Sequence, residues 1–289
     1  MKEFALSSFS DNTVFPFHIM YDRHEDTFPI HRHLDFSELV VVMNGTATHI
    51  VDNERFTVKK GDVFVIGKET THGFTDASAF EICNIMFRSE GTFLADMDIK
   101  KSPGFHSLFV IEPYLTTVQG FSNRLTLSPD DYLQVYELLK TMNDEYNSDR
   151  DGRITMLRSY FSMLTVILSR LNNTESDDSR RNIINVANTA AFIERHYTER
   201  LTLDELAEMS HYSARHFVRI FTETYHTTPQ KYIISLRLKY ACNLLRDTEL
   251  SIEDAALRSG FSDGNYFSRI FKQHIGVTPK QYRKQQREI

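Results

Sequence analysis

Two cysteines, Cys83 and Cys242, are all that this 289-residue chain contains. They lie far apart and make no disulfide framework, so a reducing, cytoplasmic setting is expected. No run approaches 18 consecutive apolar residues, so no membrane-spanning helix is expected. The opening MKEFALSSFSDNT has no apolar h-region, and secretion is not expected either. A strong surplus of one charge is also missing, since the formal net charge is −6. That charge is unevenly spread. From Ile183 onward 15 Lys+Arg face 12 Asp+Glu, giving +3, while the rest has 18 against 27, giving −9. So small a basic excess cannot hold a polyanion by bulk field. Any phosphate contact would rest on local placement and helix N-termini.

What the chain does have is a repeat. Leu201–Tyr232 and Leu250–Tyr282 match at an offset of 49 up to Ser213/Ser262 and 50 from Phe217/Phe267, with a one-residue insertion near Asp263. Each copy of such a repeat is one supersecondary unit. Thr202 and Ser251 sit where a helix N-cap belongs, with Glu205 and Asp254 three residues on. Short helices are predicted over Leu203–Met209 and Ile252–Arg258, followed by turns at Ser210-His211-Tyr212 and Ser259-Gly260-Phe261. Ser213 and Ser262 are then read as caps of the second helices. Phe217, Ile220, Phe221 and Phe267, Ile270, Phe271, His274 recur at helical spacing and should point inward. Arg215, Val218, Arg219, Thr222 and Asn265, Ser268, Arg269, Lys272 fall on the outer side. In a helix-turn-helix that side enters the major groove of double-stranded DNA, where Arg can pair with guanine and Asn with adenine. A solvated outer face is the bland alternative, and matched Arg residues in both copies count against it. A helix opening at Pro229, with the stripe Ile233, Leu236, Tyr240, Ala241, Leu244 and Leu245, joins the copies. Two heads on one face of B-DNA would lie about 34 Å apart.

The second copy carries Ile252, Ala256, Gly260-Phe261, Asp263, Tyr266-Phe267-Ser268-Arg269, Phe271-Lys272, Gly276, Thr278-Pro279 and Tyr282-Arg283. In these residues the chain resembles the AraC/XylS family of bacterial transcription regulators, over about Ile183–Arg287. The departures are His226, where the first copy usually has Gly, and Val218 on the reading face. The resemblance implies that Ser213, Arg215, Val218 and Arg219, with Ser262, Gly264, Asn265, Ser268, Arg269 and Lys272, face DNA. It also implies contact with RNA polymerase.

The first 125 residues read as short strands over Phe17–Tyr21, Glu38–Met43, Thr46–Val51, Arg55–Val58, Asp62–Ile66 and Phe80–Phe87. Asn44-Gly45, Asp52-Asn53 and Lys60-Gly61 punctuate them. His31-x-His33, Glu38 and Gly45, then Gly61-Asp62 and His72, have the spacing of the two cupin motifs. Gly67 and Glu69 stand where the second motif usually has Pro and Gly. His31 and His33 share a strand face. Glu38, five residues after His33, has the wrong parity unless a bend lies between. Three imidazoles and a carboxylate could line an effector pocket, hold a divalent metal, or be satisfied polar groups at a barrel mouth. His49 is read as structural, or as lining the same lumen. The stretch His31–Phe87 is similar to rhamnose-responsive and related carbohydrate regulators, which implies a monosaccharide effector. The alternative is a metal-dependent cupin enzyme fused to a DNA-binding tail.

Two helices are predicted at about Pro129–Asn147 and Arg153–Leu171. The stripe Leu157, Tyr160, Phe161, Leu164, Ile167, Leu168 and Leu171 would pack within the chain or pair two copies as a homodimer. The expected chain is therefore multidomain. Residues 1–172 form an all-β cupin-like barrel with two following helices, and 173–182 a linker. Residues 183–289 form an all-α domain with helix-turn-helix motifs at about 201–226 and 250–275.

Overall fold

The computed structural model describes residues 2–10, 15–52, 54–88, 97–111, 113, 124–172 and 181–287. Contacts divide the chain into two compact units, Met1–Asn188 and Thr189–Ile289. Most of the segment read as a linker lies outside the described residues, as do residues 11–14.

The first unit is a sheet wrapped round itself. Its strands are β1 (Lys2–Phe4), β2 (Phe17–His24), β3 (Phe28–His33), β4 (Ser37–Val51), β5 (Glu54–Lys59), β6 (Asp62–Ile66), β7 (Thr71–Phe87) and β8 (Leu125–Thr126). The two long strands organise the rest. β7 pairs with β2, β3 and β4, and β4 also pairs with β5 and β6. The run Leu39–Met43 is apolar without alternation because both faces are covered. Leu39, Val41 and Met43 join one core with Cys83, Ile85 and Phe87. Val40 and Val42 join another with Phe64, Phe74, Phe80 and Ile82.

The first of those cores lies under helices. A short turn of helix, α1 (Pro103–Phe105), precedes α2 (Pro129–Tyr146) and α3 (Arg153–Leu171). Ser128 caps α2 by accepting from the Asp131 N–H, and Pro129 follows at the first helical position, where its missing N–H costs nothing. Leu157, Phe161, Leu164 and Leu168 of α3 are fully buried against the outer face of the sheet, with Tyr160, Ile167 and Leu171 partly so. The stripe is thus filled within the chain.

Asn44-Gly45 was expected to be a turn, and it is not. It lies inside β4, where the register against β7 shifts between Val42 and Asn44 and again on either side of Thr46. This is a bulge, which bends the strand and lets one long strand serve two parts of the barrel. Gly45 has φ +70°, and a Cβ there would stand 2.2 Å from the carbonyl oxygens of Ser78 and Ala79. The turn at Gly61 (φ +88°) links β5 to β6, both of which pair with β4.

The second unit is helical. The end of α4 (Arg181–His196), a helix that begins before the division, leads through α5 (Leu203–Met209), α6 (Ala214–Tyr225), α7 (Pro229–Asp247), α8 (Ile252–Arg258) and α9 (Gly264–Ile275) to α10 (Pro279–Arg287). Thr202 and Glu205 form a complete capping box, whereas Ser251 caps α8 through the Asp254 N–H. Glu reaches back to the cap backbone more easily than the shorter Asp. Ser213 caps α6, but Ser262 does not cap α9. Asp263 does, accepting from the Tyr266 N–H at 2.7 Å, because the extra residue displaces Ser262 by one place. His274 is a second correction. It is exposed and bonds only its own helix at the Ile270 carbonyl, while the buried residues of α9 are Phe267 and Phe271. α7 belongs to both copies. Ile233 packs with Phe217 and Phe221, and Leu238, Ala241, Leu244 and Leu245 pack with Phe267 and Phe271.

Gly45→Ala should destabilise the first unit by about 2–4 kcal/mol, because it combines positive φ with a backbone clash that cannot relax cheaply. Urea unfolding of the full-length chain checks this, and an unchanged midpoint would contradict the bulge assignment.

Candidate functional site

The barrel encloses a cavity of about 210 Å³. Its wall alternates along the strands as the pleat requires. β2 contributes Met20, Asp22 and His24, β7 contributes His72, Phe74, Ile82, Asn84 and Met86, and β3 contributes Phe28, His31 and His33. Glu38 comes from β4, and Phe4 and Phe9 from the N-terminal segment. The structure therefore brings His31, His33, Glu38 and His72 together. The parity problem at Glu38 is solved by the corner Leu34-Asp35-Phe36, which ends β3 and restarts the alternation. Glu69, two residues after Gly67, takes φ +68° where the cupin motif usually has Gly, so the turn survives the substitution. Its N–H donates to the His33 carbonyl at 2.7 Å and holds that histidine's strand in place.

The imidazoles meet at their Nε2 atoms. His33 Nε2 is 3.3 Å from His31 Nε2 and 3.1 Å from His72 Nε2. Glu38 Oε2 lies 3.9 Å from His33 Nε2 and 3.7 Å from His72 Nε2. His31 Nδ1 donates to the Pro29 carbonyl at 3.1 Å. A carbonyl only accepts, so in the neutral ring His31 Nε2 is bare and turned toward the cluster. The Nδ1 atoms of His33 and His72 are buried without a hydrogen-bond partner.

Burial sets the charge state. It pushes His33 down to about 3, with His31 adding to the effect, and lowers His72 well below its ordinary value. Burial, with Asp22 nearby, pushes Glu38 up to about 8. Near neutral pH the cluster is uncharged: neutral imidazoles, each with one N–H and one bare nitrogen, and a protonated carboxyl. His49 stands behind it, sandwiched between Phe64 and Phe74 at 4.8 and 4.7 Å, and it does not line the cavity. Its role is in the core.

Asp22, His24, Asn84 and the arm residues Phe4 and Phe9 escaped the sequence reading. The period-two spacing of Met20, Asp22 and His24 was the available signal for β2. For the arm there was none, because a three-residue strand pairing in parallel with β3 leaves no pattern.

The second candidate surface is on α6 and α9. Arg215 and Arg219 are exposed, with Val218 and Thr222 half-buried between them. Asn265, Arg269 and Lys272 are exposed, with Ser268 half-buried. Ser213, Ser262 and Gly264 are exposed at the helix starts. Arg219 is held by Glu223 one turn along its own helix at 3.1 Å, and Arg269 lies over the Tyr266 ring at 5.6 Å. Both guanidiniums are thus presented on short tethers rather than free in solvent.

Known proteins with these parts fall into a defined set. A helix-turn-helix domain family matches residues 206–285 and a cupin domain family matches residues 17–85. The transcriptional activator RhaS of Escherichia coli O139:H28 is 28% identical over 261 residues, covering 89% of this chain and 87% of its own. The RhaS of Enterobacter sp. strain 638 is 27% identical over 260 residues, with the same coverage. A transcriptional regulator from Chromobacterium violaceum, described as having an AraC-type DNA-binding domain, is 33% identical over 35% of this chain and 91% of its own, with a TM-score of 0.33. A cupin barrel followed by tandem helix-turn-helix motifs defines a class of two-domain transcription regulators. Within that class, the chain is similar to the AraC-type regulators, through its helix-turn-helix domain over residues 206–285 and its likeness to RhaS. Among the described residues no helix is long and apolar enough to cross a membrane.

The shifted groups give the barrel a pH signature. His33 and His49, both near 3 when folded, are protonated only after unfolding between about pH 3 and 6.5. Their contribution to stability is complete above 6.5 and lost as pH falls. Glu38 works the other way. It holds its proton in the folded chain up to about 8, so its contribution is present below the unfolded value of 4.5 and lost as pH rises through 8. The melting temperature should therefore rise from pH 5 to near 6.5 and decline toward pH 8, and Glu38→Gln should remove the alkaline decline. A decline of the same size in Glu38→Gln would show that Glu38 does not titrate as described.

Proposed function

We propose that the chain is a sequence-specific DNA-binding transcription regulator, an activator, controlled by a small uncharged carbohydrate held in the barrel. The observation that carries this reading is the pair of matched recognition helices. α6 and α9 have the same buried Phe pair and the same exposed Arg, and they project from two cores that share one connecting helix. Direct base readout is assigned to Arg215, Arg219, Asn265, Ser268 and Arg269, with Val218 against a thymine methyl. Ser213, Ser262 and Gly264 at the helix starts and Lys272 are assigned to positioning.

The cavity supports the effector. It is somewhat larger than the roughly 150 Å³ that holds benzene, which suits one substituted six-membered ring. Its polar groups, Asp22, His24, His31, His33, Glu38, His72 and Asn84, offer both donors and acceptors to hydroxyls. Among the described residues no Lys or Arg lines it, so a phosphorylated or acidic sugar would enter without a counter-charge from them. Relatives named as transcriptional activators support activation, which brings RNA polymerase in as a partner. The exposed Leu133, Tyr136, Met156 and Met163 on α2 and α3 are assigned to pairing of two copies as a homodimer. Residues 1–172 are assigned to sensing, 183–289 to DNA and 173–182 to the linker. The cytoplasm is the compartment such a role requires, and no residue is assigned a catalytic role.

A second reading has one observation in its favour. His31, His33 and His72 each offer a ligand atom within 4.8 Å of the others, a donor set that fits a divalent metal, with the two unpartnered Nδ1 atoms awaiting an outer hydrogen bond. A bound ion would supply a Lewis acid, the requirement of a cupin enzyme. Adding a panel of monosaccharides to the full-length chain, with and without chelator, separates the two. A selective, saturable rise in melting temperature with a neutral sugar is expected. No rise with any sugar, together with a large fall on chelation, would transfer the assignment to the metal.

On the DNA side, Arg269→Ala should cost about 1–3 kcal/mol at one base pair and relax specificity there. Binding measured across single-base variants of a selected operator checks it, since a loss equal on all variants would make Arg269 a phosphate contact.

A further inference from the structure

The two helix-turn-helix copies are joined by more than their shared helix. Arg237 projects from the middle of α7. Its Nε donates to the Tyr197 carbonyl at 2.6 Å and a terminal nitrogen donates to the Glu199 carbonyl at 2.7 Å. These carbonyls belong to the segment between α4 and the Thr202 cap of the first copy. The same guanidinium lies 5.9 Å from the centre of the Phe261 ring, in the turn of the second copy. One planar cation therefore touches the entrance of one motif and the turn of the other. Gly260 completes the junction. A Cβ at Gly260 would stand 2.7 Å from the Thr198 carbonyl oxygen and 2.8 Å from Arg237 Nε, and its φ is +93°. Glycine is required there for closeness as well as for conformation.

Resting on the DNA-binding reading above, we infer that Arg237 is a positioning residue for DNA: it latches the two recognition helices at a fixed separation. It touches no base in this role. A flat guanidinium can donate to both carbonyls while lying over an aromatic face. Lysine, with a single compact ammonium, can do only part of this. A rigid link between two weak heads raises the effective concentration of the second once the first is bound, and fixes which spacing of half-sites is accepted.

The test uses the full-length chain and the duplexes that the wild type recovers from a random-sequence library. From these are made half-site duplexes and a set with one to three base pairs inserted between the half-sites. Arg237→Ala, with its fold confirmed by circular dichroism, should bind the two-site duplex about 10- to 100-fold more weakly than wild type. It should bind each half-site within about 3-fold of wild type, well inside that avidity loss. Its preference among the spacing variants should flatten. Arg237→Lys should recover part of both affinity and preference. Gly260→Ala, which drives the same junction apart from the other side, should reproduce the flattening if Arg237→Ala does not fold. A uniform loss on half-sites and full sites, with the spacing preference kept, overturns the latch. A wild type that recovers no preferred sequence overturns the DNA-binding reading itself, and the latch with it.

Discussion

A sheet covered on both faces has no room for polar side chains except where a space is left for them. β4 and β7 are such strands: one face lies under α2 and α3, the other closes the barrel. Everything about the cavity follows from that constraint. Glu38 on β4 and His72 and Asn84 on β7, which break the apolar run, line the cavity, whereas His49 is packed between aromatic rings. Burial also selects the uncharged forms of Glu38 and His72.

Much of this was legible in the sequence, and the parts that were not have physical reasons. The helix-turn-helix units could be read almost residue by residue, since capping, turn and amphipathic signals are local and each occurs twice. The two errors, Ser262 as a cap and His274 as a core residue, fall where local signals were ambiguous. A serine beside an aspartate offers two caps, and a histidine at the end of a stripe can point out as easily as in. In the barrel, the four clustered residues were found through spacing, and turn residues marked the hairpins. The bulge at Asn44-Gly45 was read as a turn because both need glycine at positive φ. Only the carbonyls of Ser78 and Ala79, more than 30 positions away, decide between them. The cavity contributions of Phe4 and Phe9 likewise depend on a long-range pairing that no window of sequence contains.

The second unit obeys a different rule. Each copy has too few residues for a core of its own, so both borrow from α7. A helix that supplies side chains to two cores cannot rotate toward one without loosening the other. The two motifs are thereby mechanically linked before any DNA is present, and sequence changes along α7 are felt by both.

Six non-glycine residues among those described hold positive φ: Asp52, Glu69, Asp76, Ala79, His211 and His226. Each carries strain of about 1–2 kcal/mol that glycine would largely avoid. The chain consequently lies below the thermal stability its own backbone permits, and glycine at one of these positions would raise it.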